Sequence, residues 1–155
     1  AWAGAHDLGY AYAQFFTGRQ QVEIMNHYRA HLPEGSGRGS IHGGQTLSAL
    51  CVSAAATREE AREQALVAAD ARFSLRTGRP MRFRDPSTLD AAYRAEVERY
   101  LERDTAIIVG TYDEVAHALS SFAENHGTEE VMLISYIDDV EVKIRQYAEL
   151  ASRLL

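Results

Sequence analysis

His27 and His31 stand four residues apart in a stretch with helical periodicity, so they share one face, the spacing at which two imidazoles can ligate one metal ion. Tyr28 follows His27 where a zinc-protease pair would carry glutamate, and both rings fall opposite or beside the apolar stripe of Val22 and Met25. A solvated helix face is the favoured reading. Cys51, flanked by Leu50 and Val52, is the only cysteine; it reads as a buried, inert thiol, because a nucleophile would need a basic neighbour that the sequence does not supply. Between residues 34 and 45 lie five glycines (Gly35, Gly37, Gly39, Gly43, Gly44). They match neither the dinucleotide fingerprint nor the P-loop lysine pattern, and they precede a strand instead of following one, so a connecting loop is the simpler reading. No serine, histidine and aspartate set is spaced to suggest a catalytic triad.

Composition narrows the function classes. The chain has 155 residues, 46% of them hydrophobic and 25% charged, enough for one domain (1–155) with a buried core. A formal net charge of -6 argues against nucleic acid or an acidic membrane surface as partner, since either needs a basic face. Lys143 is the one lysine among 16 basic residues, and the arginine excess reads as compositional bias. A single cysteine rules out an internal disulfide, no apolar run is long enough to span a bilayer, and no secretory leader is read, so a cytoplasmic address is expected.

Residues 1–8 fit the last turns of a helix with Gly9 as its cap. The aromatic run 10–16, stopped by Thr17-Gly18, reads as a buried strand, and 19–32 as a helix ended by Pro33. A second strand is expected over 46–53. Thr57-Arg58-Glu59-Glu60 is a capping box that opens a helix with Ala61, Ala65, Ala68, Ala69 and Phe73 inside. A further helix over 87–104 makes two helices between neighbouring strands, one more than a βαβ unit needs, so this segment reads as an insertion. A second capping box, Thr111-Tyr112-Asp113-Glu114, opens a helix that Gly127 stops. A third strand spans 131–135, and Asp138-Asp139 start a last helix with Ile144, Tyr147, Ala148, Ala151, Leu154 and Leu155 on one face. Three nearly apolar strands alternating with helices predict an α/β protein with a parallel sheet, and its raw edges predict part of a larger sheet or barrel.

Three segments in order resemble the bacterial luciferase-like flavin-dependent monooxygenases. Leu8-Gly9-Tyr10-Ala11-Tyr12-Ala13-Gln14-Phe15-Phe16 is similar to that family's L-P-[YF]-A-[FY]-A-x-x-F strand, and Ala55-Ala56-Thr57-Arg58-Glu59-Glu60-Ala61 to its A-[DE]-[TS]-x-[EA]-E-A segment. Ile108-Val109-Gly110-Thr111-Tyr112-Asp113-Glu114-Val115, Glu130-Val131-Met132-Leu133 and Arg145-Gln146-Tyr147-Ala148-Glu149-Leu150 resemble its closing V-G-[TS]-P-E-E-V, D-E-[VI]-M-[LV] and R-x-[SQ]-[YF] run. Tyr112 replaces the usual proline at a position where either starts a helix. The resemblance implies a partial (β/α)8 TIM barrel: the last three β/α units with a helical insertion. The opening strands and the Ser-Ser-Gly phosphate-binding turn of the family are expected before Ala1.

The same resemblance implies where chemistry sits. In such barrels the site lies at the C-terminal ends of the strands, which puts Gln14, Phe15 and Phe16, then Ser53, then Ser135 and Tyr136 in a cofactor or substrate pocket. Gln14, polar inside an apolar run, would hydrogen-bond a ligand or satisfy a backbone group; Phe15 and Phe16 would line the pocket or pack, and Ser135 and Tyr136 would touch flavin or substrate or simply end the strand. The implied activity is oxygenation of a small organic substrate with O2 and reduced FMN delivered by a separate reductase. A deazaflavin-dependent oxidoreductase of the same superfamily is the enzymatic alternative. A non-catalytic half-barrel that folds as a homo-oligomer, or pairs with a complementing N-terminal half, is the alternative from another class.

Overall fold

The computed structural model describes residues 1–19, 22–36, 44–128 and 130–155. Its centre is strand β2 (Thr46–Ala55), whose last eight residues are all buried. β1 (Tyr10–Ala13), β3 (Ile107–Thr111) and β4 (Glu130–Ile134) all pair with it in parallel. β1 takes β2 residues 46–49 and β4 takes 47–51; these registers overlap, so the two strands hold opposite edges. β3 takes the upper half, with Cys51 opposite Ile107 and Ala55 opposite Thr111. The sheet of the described residues does not close on itself.

The fold class expected from the sequence is the one found: an incomplete α/β barrel. The strand count differs, four instead of three. Ile107–Thr111 carries an apolar run, Ile107-Ile108-Val109, that passes into the capping box of α6 with no loop between, and it pairs with the upper half of the long β2. β1 is shorter than expected. It stops at Ala13, and Gln14–Thr17 wind into a single helical turn, α2, closed by Gly18 at φ +69. A Cβ at Gly18 would stand 2.6 Å from the Ala106 nitrogen, so only glycine lets this turn abut the start of β3.

Other boundaries shift for local reasons. The first helix, α1, is Trp2–Ala5, and Asp7 (φ +53) takes the left-handed position expected of Gly9. α3 is Val22–Arg29, where a helix over 19–32 was expected. Of the glycine loop, residues 37–43 lie outside the described residues. The capping box at Thr57 opens α4 (Arg58–Arg76) as expected. The single helix expected over 87–104 is a 3-10 turn (Pro86–Thr88) and α5 (Ala91–Leu101), because Asp85 and Asp90 each cap their own segment through the amides of Ser87 and Tyr93. The second box opens α6 (Tyr112–His126), ended by Gly127 at φ +58, and Arg29 of α3 donates to the helix-end carbonyls of His126 and Gly127.

α7 (Val140–Leu154) turns a different face inward from the one its apolar residues suggest. Gln146 and Leu150 are buried, while Ile144, Ala148, Ala151, Leu154 and Leu155 are exposed. Gln146 Oε1 accepts the Ala54 amide at 2.7 Å, and that bond to the end of β2 sets the rotation of the helix.

The two faces of the sheet differ in cover. Partners in parallel register point to the same side. Leu50, Val52, Ala54 and Leu133 form one face, packed under Val115, Leu119 and Phe122 of α6 and Leu150 of α7. The other face is split. Above Cys51 it is covered by α4 and α5; below, Ala11, Glu130 and Met132 are exposed (Met132 to 51%), Ala13 and Leu47 are half-buried, and Ala49 between them is buried.

Candidate functional site

The end of β1 is held by one side chain. Arg72, near the C-terminal end of α4, donates Nη1 to the Phe15 carbonyl (2.6 Å), Nε to Asp104 Oδ2 (2.5 Å) and Nη2 to Asp104 Oδ1 (3.3 Å). Asp104, only 4% exposed, also accepts the Ala106 amide at 2.9 Å, so it starts β3 while Arg72 stops β1. Burial pushes the Asp104 carboxyl up, but the bonds from Arg72 and Ala106 outweigh it and hold the group below the usual 3.8. Asp70, two residues before Arg72 on α4, is enclosed and accepts a two-pronged bond from Arg84 (2.8 and 2.5 Å) and a bond from the Tyr93 hydroxyl (2.7 Å); burial is again outweighed and its carboxyl lies below 3.8.

Both carboxylates bind protons more weakly folded than unfolded, so their contribution is complete above the unfolded value and disappears as pH falls through the folded one. The urea midpoint is expected to be level from about pH 7 to 5 and to drop below about pH 4, less steeply in an Asp104→Asn variant, whose midpoint is already lower at pH 7.

Of the residues expected at the strand ends, Gln14 and Phe15 adjoin this node. Gln14 is 3% exposed; its Nε2 donates to the Thr105 carbonyl (3.2 Å), and its Oε1 has no partner among the described residues. Phe15 and Tyr136 pack in one cluster around Cys51, whose thiol burial pushes up to about 12, so no thiolate forms near neutral pH. Ser135 and Tyr136 line a cleft of about 230 Å³ with Val67, Phe83, Arg84 and Lys143. Two of the expected residues face elsewhere. Ser53 donates to the Ala61 carbonyl (2.9 Å) and fastens α4 to β2, while Phe16 tilts over Phe15 and is 70% exposed.

Sequence reading passed over Arg72, Asp104, Asp70 and Phe83. Their partners are 14 to 57 residues distant along the chain, and no local pattern marks them. His27, in α3, and His31, just beyond its end, are both exposed, with ring centroids 4.4 Å apart, and no group of three metal-ligating side chains gathers among the described residues.

No protein-family profile and no curated protein sequence matches the chain. Solved structures do. The crystal structure of apo-MsnO8 aligns over 97% of this chain and 46% of its own, at 24% identity and a TM-score of 0.76. EDTA monooxygenase (EmoA) from Chelativorans sp. BNC1 aligns over 98% of this chain and 43% of its own (14% identity, TM-score 0.49). Riboflavin lyase (RcaE), solved with modified FMN and substrate riboflavin, aligns over 96% and 42% (18% identity, TM-score 0.47). The chain thus spans less than half the length of each, and with apo-MsnO8 it shares a fold.

Proposed function

We propose that the chain is the C-terminal part of a luciferase-like, FMN-dependent monooxygenase, forming one wall of the barrel and part of its mouth. The observation that carries this reading is the open lower face of the sheet. Ala11 and Met132 are exposed and Leu47 half-buried on one side of strands whose other side packs under α6 and α7, as expected of a wall whose inner face is filled from the remaining strands. The order of the three sequence segments and the likeness to apo-MsnO8 over 97% of the chain support it.

The residues at the mouth fit the ring end of a flavin. On this reading Gln14 Oε1, buried and without a donor among the described residues, accepts a ring N–H, and Phe15 and Tyr136, packed in one cluster, supply flat apolar surface. Arg72 and Arg84 are committed to Asp104 and Asp70, so the phosphate falls to other parts of the barrel. Reduced flavin, when bound, supplies the activation of O2; this chain's residues orient the ring edge and exclude water.

The test joins this chain to the preceding half of the apo-MsnO8 barrel and follows quenching of FMN fluorescence. The joined protein is expected to bind FMN while the chain alone does not, and Gln14→Leu should weaken binding about tenfold, the loss of one buried hydrogen bond. A joined protein that unfolds cooperatively yet leaves FMN fluorescence unchanged overturns the reading.

A second reading, a non-catalytic half-barrel that closes as an oligomer, draws on the exposed stripe of Val140, Ile144, Ala148, Ala151 and Leu155 beside the open sheet edges. Sedimentation equilibrium separates the two: a flavin-free dimer at micromolar concentration favours the oligomer, a monomer the barrel wall.

A further inference from the structure

We propose that the cleft beneath Phe83 binds a neutral, planar aromatic molecule carrying hydrogen-bonding oxygen. Its role as the substrate cleft rests on the function proposed above; the binding does not.

The segment from Arg79 to Asp85 leaves α4 and returns across the end of β4, fastened at its root. Arg84 grips the enclosed Asp70, and the guanidiniums of Arg79 and Arg84 lie 5.1 and 4.9 Å from the Tyr93 ring centroid. Phe83, at 55% exposure, is not drawn into that packing. It lies nearly parallel to Tyr136, with ring centroids 5.0 Å apart and 13° between planes. A large apolar ring held by an anchored arm over a second ring, at the edge of a cleft of about 230 Å³, is a wall suited to another flat ring, since aromatic faces prefer offset stacking.

The polar lining argues for a ligand without net charge. Lys143 is half-buried and makes no ion pair among the described residues, so a cation would meet it unscreened. Asp85 and Asp138 line the same cleft and oppose an anion, and Arg84 is neutralised by Asp70. What remains is the Lys143 ammonium as a donor and the Ser135 hydroxyl as donor or acceptor, at the side of an aromatic wall. A phenol or an aromatic ketone meets both.

The probe is 2-naphthol, followed by its fluorescence anisotropy with the chain as it stands and no flavin present. Saturable binding is expected, at least tenfold tighter than that of 2-naphthoate or 2-naphthylmethylamine in competition, and tenfold tighter than that of the non-planar decahydro-2-naphthol. Phe83→Leu keeps apolar surface but removes the flat face and should weaken 2-naphthol about tenfold, while Phe83→Tyr restores it. Absence of saturation, a charged probe binding tighter, or Phe83→Leu binding like the native chain overturns the inference. If FMN fails to bind the joined barrel while 2-naphthol binds here, only the flavin reading falls; if 2-naphthol fails while FMN binds, only this inference does.

Discussion

Replacing Arg72 with alanine is expected to cost about 3–5 kcal/mol, a large share of the roughly 5–15 kcal/mol that holds a domain of this size together. The change removes three hydrogen bonds and leaves Asp104, 4% exposed, as a buried carboxylate with only the Ala106 amide to satisfy it. It also frees the Phe15 carbonyl and with it the turn that carries Gln14, Phe15 and Phe16. A lysine at this position keeps the charge but cannot span Asp104 and Phe15 together, so Arg72→Lys should recover only part of the loss. Urea unfolding followed by circular dichroism reads both variants, and a native midpoint for Arg72→Ala would show that the node is dispensable.

The second large effect lies on the covered face. Leu50, fully buried at the middle of β2, is enclosed by Val115, Leu119, Phe122 and Leu150, and Leu50→Ala should cost about 2–5 kcal/mol through lost transfer energy and the cavity left behind. Met132→Ala, on the neighbouring strand but on the open face, should change stability by no more than about 0.5 kcal/mol. The contrast between two apolar residues of one sheet is what a wall with one empty side requires. Equal losses in the urea midpoint would mean that the open face is covered in solution.

Local chemistry was well written into the sequence. Thr57 with Glu60 and Thr111 with Glu114 form both capping boxes where they were read, Gly127 ends α6, and Asp139 caps α7 through the amides of Glu141 and Val142. What failed to show was decided at a distance. β1 stops at Ala13 because Arg72 and Thr105, 57 and 91 residues away from their partners, bind the turn that follows. β3 is different: its apolar run is local but the strand ends in the residue that caps α6, with no loop to mark it off as a strand, while α7 faces inward with Gln146, which accepts the Ala54 amide. The candidate site divides in the same way. Of the residues expected at the strand ends, Phe15 and Tyr136 pack in one cluster and Ser135 and Tyr136 line one cleft, whereas Ser53 bonds the Ala61 carbonyl, and Phe83 comes to Tyr136 from an insertion whose path no motif encodes.

The measurement that bears most directly on the barrel-wall account is hydroxyl-radical oxidation of Met132, read by mass spectrometry in the chain alone and in the chain joined to the preceding half of the apo-MsnO8 barrel. Met132 is 51% exposed on the open face and should oxidise readily in the isolated chain, then at least about tenfold more slowly once the barrel is complete and its interior filled. The buried Met25, 0% exposed, serves as the slow reference in both. Equal oxidation rates for Met132 in the two proteins would contradict the account, because the bare side of this sheet would then not be the inside of a barrel.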